Sequence, residues 1–333
     1  MTITLNDPVR IGGLNLKNRL IMAPLQQYRG TPDGYAGNHH VEHYGRSAKH
    51  VGLVIAESTA VSPNGRLWKN DIGIYTDRHI EPLKRVTDAV HAYRTPIFVQ
   101  LSHGGRKSSP EVTAALAAPS AIAYDEHYGT PEALSCEGIQ RVIEEYRLAA
   151  KRSVQAGFDG IELHAAHGFL IHQFVSPLSN TRTDAYGGST VNRARFLQET
   201  IAAIRGEVGK DYPVIIRISA TDYSEGGLTP QEWARVLKPL EPELDGIHVS
   251  TGGLLPVQPG DVYTAYQLPH AAAIKAHFSI PVIAVGNIHT RSLANRILED
   301  RLADCIAIGR PLLEDPDFGA RMLQAQEPVG RAG

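Results

Sequence analysis

Leu20-Ile21-Met22-Ala23-Pro24, running straight into Leu25-Gln26-Gln27-Tyr28, is the stretch whose reading decides the fold. It has the short, apolar, β-rich character of a buried strand. In an open doubly wound sheet such a first strand leads into a Gly-rich phosphate turn, and no GxGxxG follows. Seven further runs of the same character succeed it: Val51–Glu57, Pro96–Leu101, Gly160–His164, Val214–Ile218, Gly246–Ser250, Pro281–Val285 and Cys305–Gly309. Stretches with helical spacing lie between them, near 38–49, 78–94, 137–157, 190–209, 229–240, 266–278 and 290–299, with a last one after Asp315. Thr229-Pro230 and Thr290-Arg291 read as helix starts, a capping hydroxyl followed in the first case by Pro at the first helical position. Eight strands apolar throughout, alternating with helices, predict an α/β fold: a single (β/α)8 TIM barrel spanning residues 1–333, its parallel sheet covered on both faces.

Outward from that core, Val9-Arg10-Ile11, Gly12-Gly13 and Leu14-Asn15-Leu16 read as an N-terminal hairpin plugging the barrel floor. Two connections, after the third and fourth strands, are long: about 35 residues from Ser102 to Cys136 and about 25 from Ala165 to Ser189. Loops of that length usually cover a site.

Composition narrows the function. Among 333 residues, 33 Lys and Arg stand against 35 Asp and Glu, a net charge of −2, which argues against nucleic acid or an anionic membrane as partner. With 42% hydrophobic residues the chain has ample material for a core. Cys136 and Cys305 are the only cysteines, neither a disulfide framework nor a metal set, so a reducing, cytoplasmic setting is expected. No apolar stretch approaches the roughly 18 residues of a membrane helix.

In such a barrel the chemistry lies at the carboxyl ends of the strands. Gly286-Asn287 and Gly309-Arg310 end the last two, where a phosphate commonly binds: glycine admits oxygens to backbone N–H groups and arginine adds a planar charged fork. Turn glycines and a surface salt bridge are the plain alternative. Gln100 and Arg217 end the third and fifth strands with an amide and a fixed positive charge, suited to a heteroaromatic ring that becomes anionic on reduction. An arginine paired with a strand-end acid such as Glu57 is the alternative there. His164-Ala-Ala-His167 ends the fourth strand, two donors able to hold one carbonyl oxygen. A metal is the rival reading, without HExxH or a nearby third ligand to support it. His39, His40 and His43 read as one packing or solvated helix face.

Taken together these residues resemble the old yellow enzyme family, in particular the thermophilic-like group of small bacterial ene-reductases. The resemblance rests on Leu16-Lys-Asn-Arg19, Ala23-Pro24, Glu57-Ser-Thr-Ala60, Gln100-Leu-Ser-His-Gly-Gly-Arg-Lys107, Ala118-Pro-Ser-Ala121, Asn192-Arg193, Ser219-Ala220 and Ile308-Gly-Arg310. Most specific are His164-Ala-Ala-His-Gly-Phe-Leu-Ile-His172, Ser176-Pro-Leu-Ser-Asn180, Arg182-Thr-Asp184 and Tyr186-Gly-Gly188. It implies non-covalent FMN, with Pro24, Leu25 and Ala60 touching the ring through backbone, Gln100 at its pyrimidine edge and Arg217 facing N1/O2. It further implies Gly286, Asn287, Gly309 and Arg310 on the phosphate, His164 and His167 on the substrate carbonyl, and Tyr28 lining the pocket. The implied reaction is ping-pong: NADPH or NADH reduces FMN, which then passes hydride to the β-carbon of an α,β-unsaturated carbonyl compound or to a quinone or nitro acceptor. A homodimer or homotetramer is implied as well.

Three positions depart from the family's pattern. Gln26 stands where a cysteine usually tunes the flavin, and an amide there is expected to bond the O4 region and shift the potential. Phe169 stands where a tyrosine usually protonates the α-carbon, a role phenylalanine cannot fill. The tail Pro328-Val-Gly-Arg-Ala-Gly333 is short and lacks the usual aromatic flank, which counts against Arg331 as the arginine that the family sends into a neighbouring site. Phe169 favours, as an alternative, a flavin-dependent double-bond isomerase or desaturase.

Overall fold

A computed structural model describes residues 2–113, 115–257, 260 and 262–324. Arg331 lies outside the described residues. The strands are β1 (Val9–Ile11), β2 (Leu14–Leu16), β3 (Leu20–Met22), β4 (Leu53–Ala60), β5 (Ile97–Ser102), β6 (Ala117–Ala118), β7 (Glu132–Ala133), β8 (Gly160–Ala165), β9 (Val214–Ser219), β10 (Gly246–Ser250), β11 (Val282–Ala284) and β12 (Cys305–Ile308). Eight of them close a barrel in the order β3-β4-β5-β8-β9-β10-β11-β12, every neighbouring pair parallel. The fold is the expected TIM barrel.

Alternation along each strand sorts the side chains. One set, Ile21, Ala23, Leu53, Ile55, Phe98, Ile215, Ile283, Cys305 and Ala307, forms a cluster of its own that also takes in Ile11 of β1 and Leu16 of β2. The other set packs outward against the helices α1 (Asn38–Ala48), α2 (Ile80–His91), α3 (Cys136–Gln155), α4 (Leu170–Val175), α5 (Thr190–Val208), α6 (Pro230–Leu237), α7 (Leu268–Lys275), α8 (Arg291–Glu299), α9 (Arg310–Glu314) and α10 (Phe318–Leu323). Burial on both faces is what the unbroken apolar strands demanded. Thr229 caps α6 by accepting from Glu232 N–H with Pro230 in the first turn, and Thr290 caps α8 through Leu293 N–H.

Three differences from the sequence reading have physical causes. β4 runs on to Ala60, because Ser58–Ala60 pair with Gln100–Ser102 after a register shift at Ile55/Ser58. α4 escaped notice because all six of its residues are buried, so it carries no amphipathic period. The last strand stops at Ile308 because Gly309 caps α9, whose first residue is Arg310.

Candidate active site

Pro24, Leu25, Arg217, Ser250, Gly286, Asn287, Gly309 and Arg310 line one cavity at the carboxyl ends of the barrel strands. The structure therefore brings together residues from five strand ends, those of β3, β9, β10, β11 and β12, drawn from both ends of the chain. Gly286 has φ +112°, and a Cβ there would stand 2.8 Å from Gln267 Oε1, so the turn after β11 needs glycine. A Cβ on Gly309 would already touch Leu25 at 3.0 Å. Arg310 Nη2 donates to Asn287 Oδ1 at 2.9 Å, which ties the two last loops to each other across the opening.

Arg217 is almost wholly buried, and its Nε finds no partner among the described residues. Burial weighs against its charged form, and the Glu162 carboxylate is the first charge that offsets this. It is not paired with Glu57: that carboxylate accepts from Gln27 N–H at 2.9 Å and from the Tyr44 hydroxyl at 3.1 Å, with His40 Nε2 3.3 Å away. His39, His40 and His43 thus belong to α1 packing, with His40 and His43 buried. Gln100, one residue pair below Arg217 on the inner face, gives its Nε2–H to Glu162 Oε2 at 2.6 Å.

His164 and His167 stand beside this cavity. His164 Nε2 and His167 Nδ1 are 2.9 Å apart. Their outer nitrogens meet hydroxyls, His164 Nδ1 with Ser102 Oγ at 3.2 Å and His167 Nε2 with Ser250 Oγ at 2.8 Å. Burial, then the charge of Arg217, holds both imidazoles well below the usual histidine range; they are neutral rings. His167 sits at φ +57°, held by its N–H on Ser219 Oγ (2.9 Å) and by Lys107 Nζ donating to its carbonyl (2.9 Å). Lys107 also bonds Gly253 carbonyl at 2.8 Å, and burial brings its amine down to about 8.

Phe169 caps α4 and lays its ring edge-on to His164, centroids 4.7 Å apart, with Lys107 Nζ 5.3 Å from its centre. Tyr28 is half-exposed on the segment after β3, packed edge-on against Trp68 at 5.0 Å. Gln26 donates to Asp71 Oδ1. Asp71 is buried and raised to about 7 by that burial. Ala60 has both backbone groups engaged, its N–H on Ile72 carbonyl and its carbonyl accepting from Ile74. Any ring contact from Ala60 is therefore packing rather than a hydrogen bond.

Ser102, Lys107, Glu162, Ser219, His248 and Ser250 join the site without having been singled out as a set. Period-two counting from His164 to Glu162 and from Ser250 to His248 puts each pair on one strand face, and that signal was available.

A closed parallel barrel whose polar side chains converge at one mouth, over an apolar floor, is the plan of a TIM-barrel enzyme. Comparison with known proteins supplies the family. Residues 4–328 match the model of the NADH:flavin oxidoreductase / NADH oxidase family. NADPH dehydrogenase of Bacillus velezensis is 43% identical over 336 residues, covering 98% of this chain and 97% of its own. Morphinone reductase superposes with a TM-score of 0.85 at 34% identity, over 97% of this chain and 90% of that one. A 2-naphthoyl-CoA reductase in complex with 2-naphthoyl-CoA superposes at 0.89 with 28% identity, over 96% of this chain, which spans only 52% of that longer one. The chain belongs to the NADH:flavin oxidoreductase family, the old yellow enzymes, and is an FMN-dependent NAD(P)H oxidoreductase. No helix among the described residues is long and apolar enough to cross a membrane.

Proposed function

We propose that this enzyme reduces the activated C=C bond of α,β-unsaturated carbonyl compounds, and quinone or nitro acceptors, at the expense of NAD(P)H. The observation that carries the reading is the 2.9 Å approach of His164 Nε2 to His167 Nδ1. The bond between the rings needs one inner nitrogen bare; with a carbonyl oxygen between them, Ser102 and Ser250 donate to the outer nitrogens, and both inner nitrogens carry hydrogen aimed at that oxygen. A carbonyl oxygen placed there replaces the bond between the rings with two bonds to itself, and these strengthen as charge develops on it. Neutral rings serve this purpose without drawing a competing anion.

The residues present suit FMN. An unpartnered Arg217 Nε under the mouth calls for an anionic or carbonyl edge, and the glycine-lined end with Arg310 calls for a phosphate. In this reading Pro24, Leu25, Gln26, Ala60, Gln100 and Arg217 surround the ring system, and Gly286, Asn287, Gly309 and Arg310 hold the phosphate. Bound FMN supplies the two-electron carrier between NAD(P)H and the acceptor. Tyr28, at the rim, would steer the substrate over it.

Phe169 supports a second reading. Beside the carbonyl-binding pair it offers no hydroxyl, which suits reactions that need no proton at the α-carbon: quinone reduction, or isomerisation and desaturation of a carbonyl compound. By the family resemblance the enzyme acts in the cytoplasm as a homodimer or homotetramer, an assembly that light scattering on the eluting protein measures directly.

Anaerobic stopped-flow on FMN-loaded protein tests the proposal: flavin absorbance is followed through reduction by NADPH and then through reoxidation by cyclohexenone. Fast reoxidation is expected. Fast reduction, sluggish enone reoxidation and rapid turnover with a quinone would move the assignment to the second reading.

A further inference from the structure

Glu162 is a fully buried acid that holds two of the site's side chains at once. Gln100 of β5 and Glu162 of β8 are register partners, and Gln100 Nε2 lies 2.6 Å from Glu162 Oε2. Glu162 Oε1 lies 2.7 Å from His248 Nδ1, contributed by β10 from the other side of Arg217. Gln100 is 2% exposed, and Glu162 and His248 are not exposed at all. His248 Nδ1 meets a carboxylate oxygen, so Nδ1 is the ring atom that carries the hydrogen there. Both carboxylate oxygens thus face N–H donors.

This settles the orientation of the Gln100 amide by chemistry. An ionised carboxylate can only accept, so the end of the amide that meets it must be the NH2 group. One of its two hydrogens is given to Glu162. What remains is a second N–H with Oε1 beside it, and Oε1 makes no hydrogen bond to the described residues. Turning the amide over would set a carbonyl oxygen against a buried carboxylate, leaving two acceptors face to face in a low-dielectric interior.

We propose that Glu162 is the positioning residue that fixes the Gln100 amide, and so makes the cavity select a ring edge carrying N–H beside C=O. Arg217 completes the pattern. It pairs in register with both His164 and His248, so its cation stands one residue pair above Gln100, where a second carbonyl or an anionic nitrogen of the same ring is favoured. The ligand class is an imide- or pyrimidinedione-edged heterocycle. This inference rests on the reading of the cavity as the flavin site, where the edge is that of FMN's own pyrimidine ring.

The test is the bound cofactor's N3–H. Apo-protein is reconstituted with ¹⁵N-labelled FMN, and ¹H–¹⁵N spectra are recorded for the wild type, Glu162→Gln and Glu162→Asp, alongside the FMN Kd of each from fluorescence quenching. In the wild type the N3–H proton is expected downfield and slow to exchange, the signature of donation to Gln100 Oε1. Glu162→Gln, whose amide no longer dictates which end of Gln100 it meets, is expected to move the proton upfield, quicken its exchange and weaken FMN about 10-fold. Glu162→Asp, with its acceptor drawn back by one methylene, is expected to fall between. Should Glu162→Gln fail to fold by circular dichroism, Glu162→Asp carries the comparison with the same expected direction. An N3–H signal and Kd indistinguishable from wild type in the folded variant would overturn the proposal. Failure of the wild type to take up FMN would strike at the site reading itself, which separates the two.

Discussion

His167 holds a backbone conformation, φ +57°, that a side-chain-bearing residue adopts only when its surroundings insist. Ser219 takes its N–H, Lys107 its carbonyl, and the ring is fixed between His164 and Ser250. His167→Ala is accordingly expected to slow enone reoxidation of the reduced enzyme about 10²- to 10³-fold, with reduction by NADPH changed much less; the two phases of the stopped-flow trace report each separately. Phe169→Tyr restores a hydroxyl against the same pair and should speed the enone phase about 10- to 100-fold while leaving quinone reoxidation alone. Both rings are held neutral by burial and by the charge of Arg217. The enone phase should therefore show no titration of the histidine pair between about pH 6 and 8, checked by repeating the trace across that range.

At the scale of elements, the loops after β8 and β10 interlock. A Cβ on Gly253, at φ +86°, would fall 2.7 Å from His167 Cα, and Lys107 bridges the carbonyls of both residues. Gly253→Ala should lower stability in urea by about 2–4 kcal/mol, and with it the enone phase, because the loop that yields is the one bearing His167. A second tie joins the segment after β3 to that after β4, where Asp71 accepts from Gln26 and from the Leu67 and Trp68 N–H groups. Burial raises Asp71 to about 7 in the folded protein, above its unfolded value of about 3.9. The folded state binds this proton more tightly, so the contribution is present at low pH and lost as pH rises through about 7. Asp71→Asn removes that titration. The difference in Tm, variant minus wild type, should grow between about pH 5.5 and 8, as scanning calorimetry at both values will show.

Across the whole molecule, the two ends of the barrel divide the labour. The interior cluster that includes Ile11 and Leu16 of the hairpin is apolar, whereas the other end carries Arg217, the histidine pair and the glycine-lined cavity. Ile11→Ala should cost about 2–4 kcal/mol of stability through the void it leaves, with the FMN Kd and both stopped-flow phases unchanged below the unfolding transition. A loss of FMN affinity in that variant would mean that the two ends are mechanically coupled.

How much was legible follows from range. Short runs apolar throughout, helix periodicity and capping at Thr229 and Thr290 act over a few residues, so the eight βα units and the closed barrel could be read from the chain alone. Placing chemistry at strand ends then pointed to Gly286, Arg310, Arg217 and the histidine pair, because barrel geometry fixes where strands terminate. α4 was lost because uniform burial erases the periodic signal. Which acid meets Arg217, and what Gln100 is tied to, depends on contacts such as that of His248 with Glu162, 86 residues away. A single sequence carries no register between such positions. Local steric and hydrophobic preferences determined the barrel; only the closure of β5, β8, β9 and β10 side by side decided which buried polar groups satisfy one another, since an unpaired group in that interior costs more than any local preference can supply.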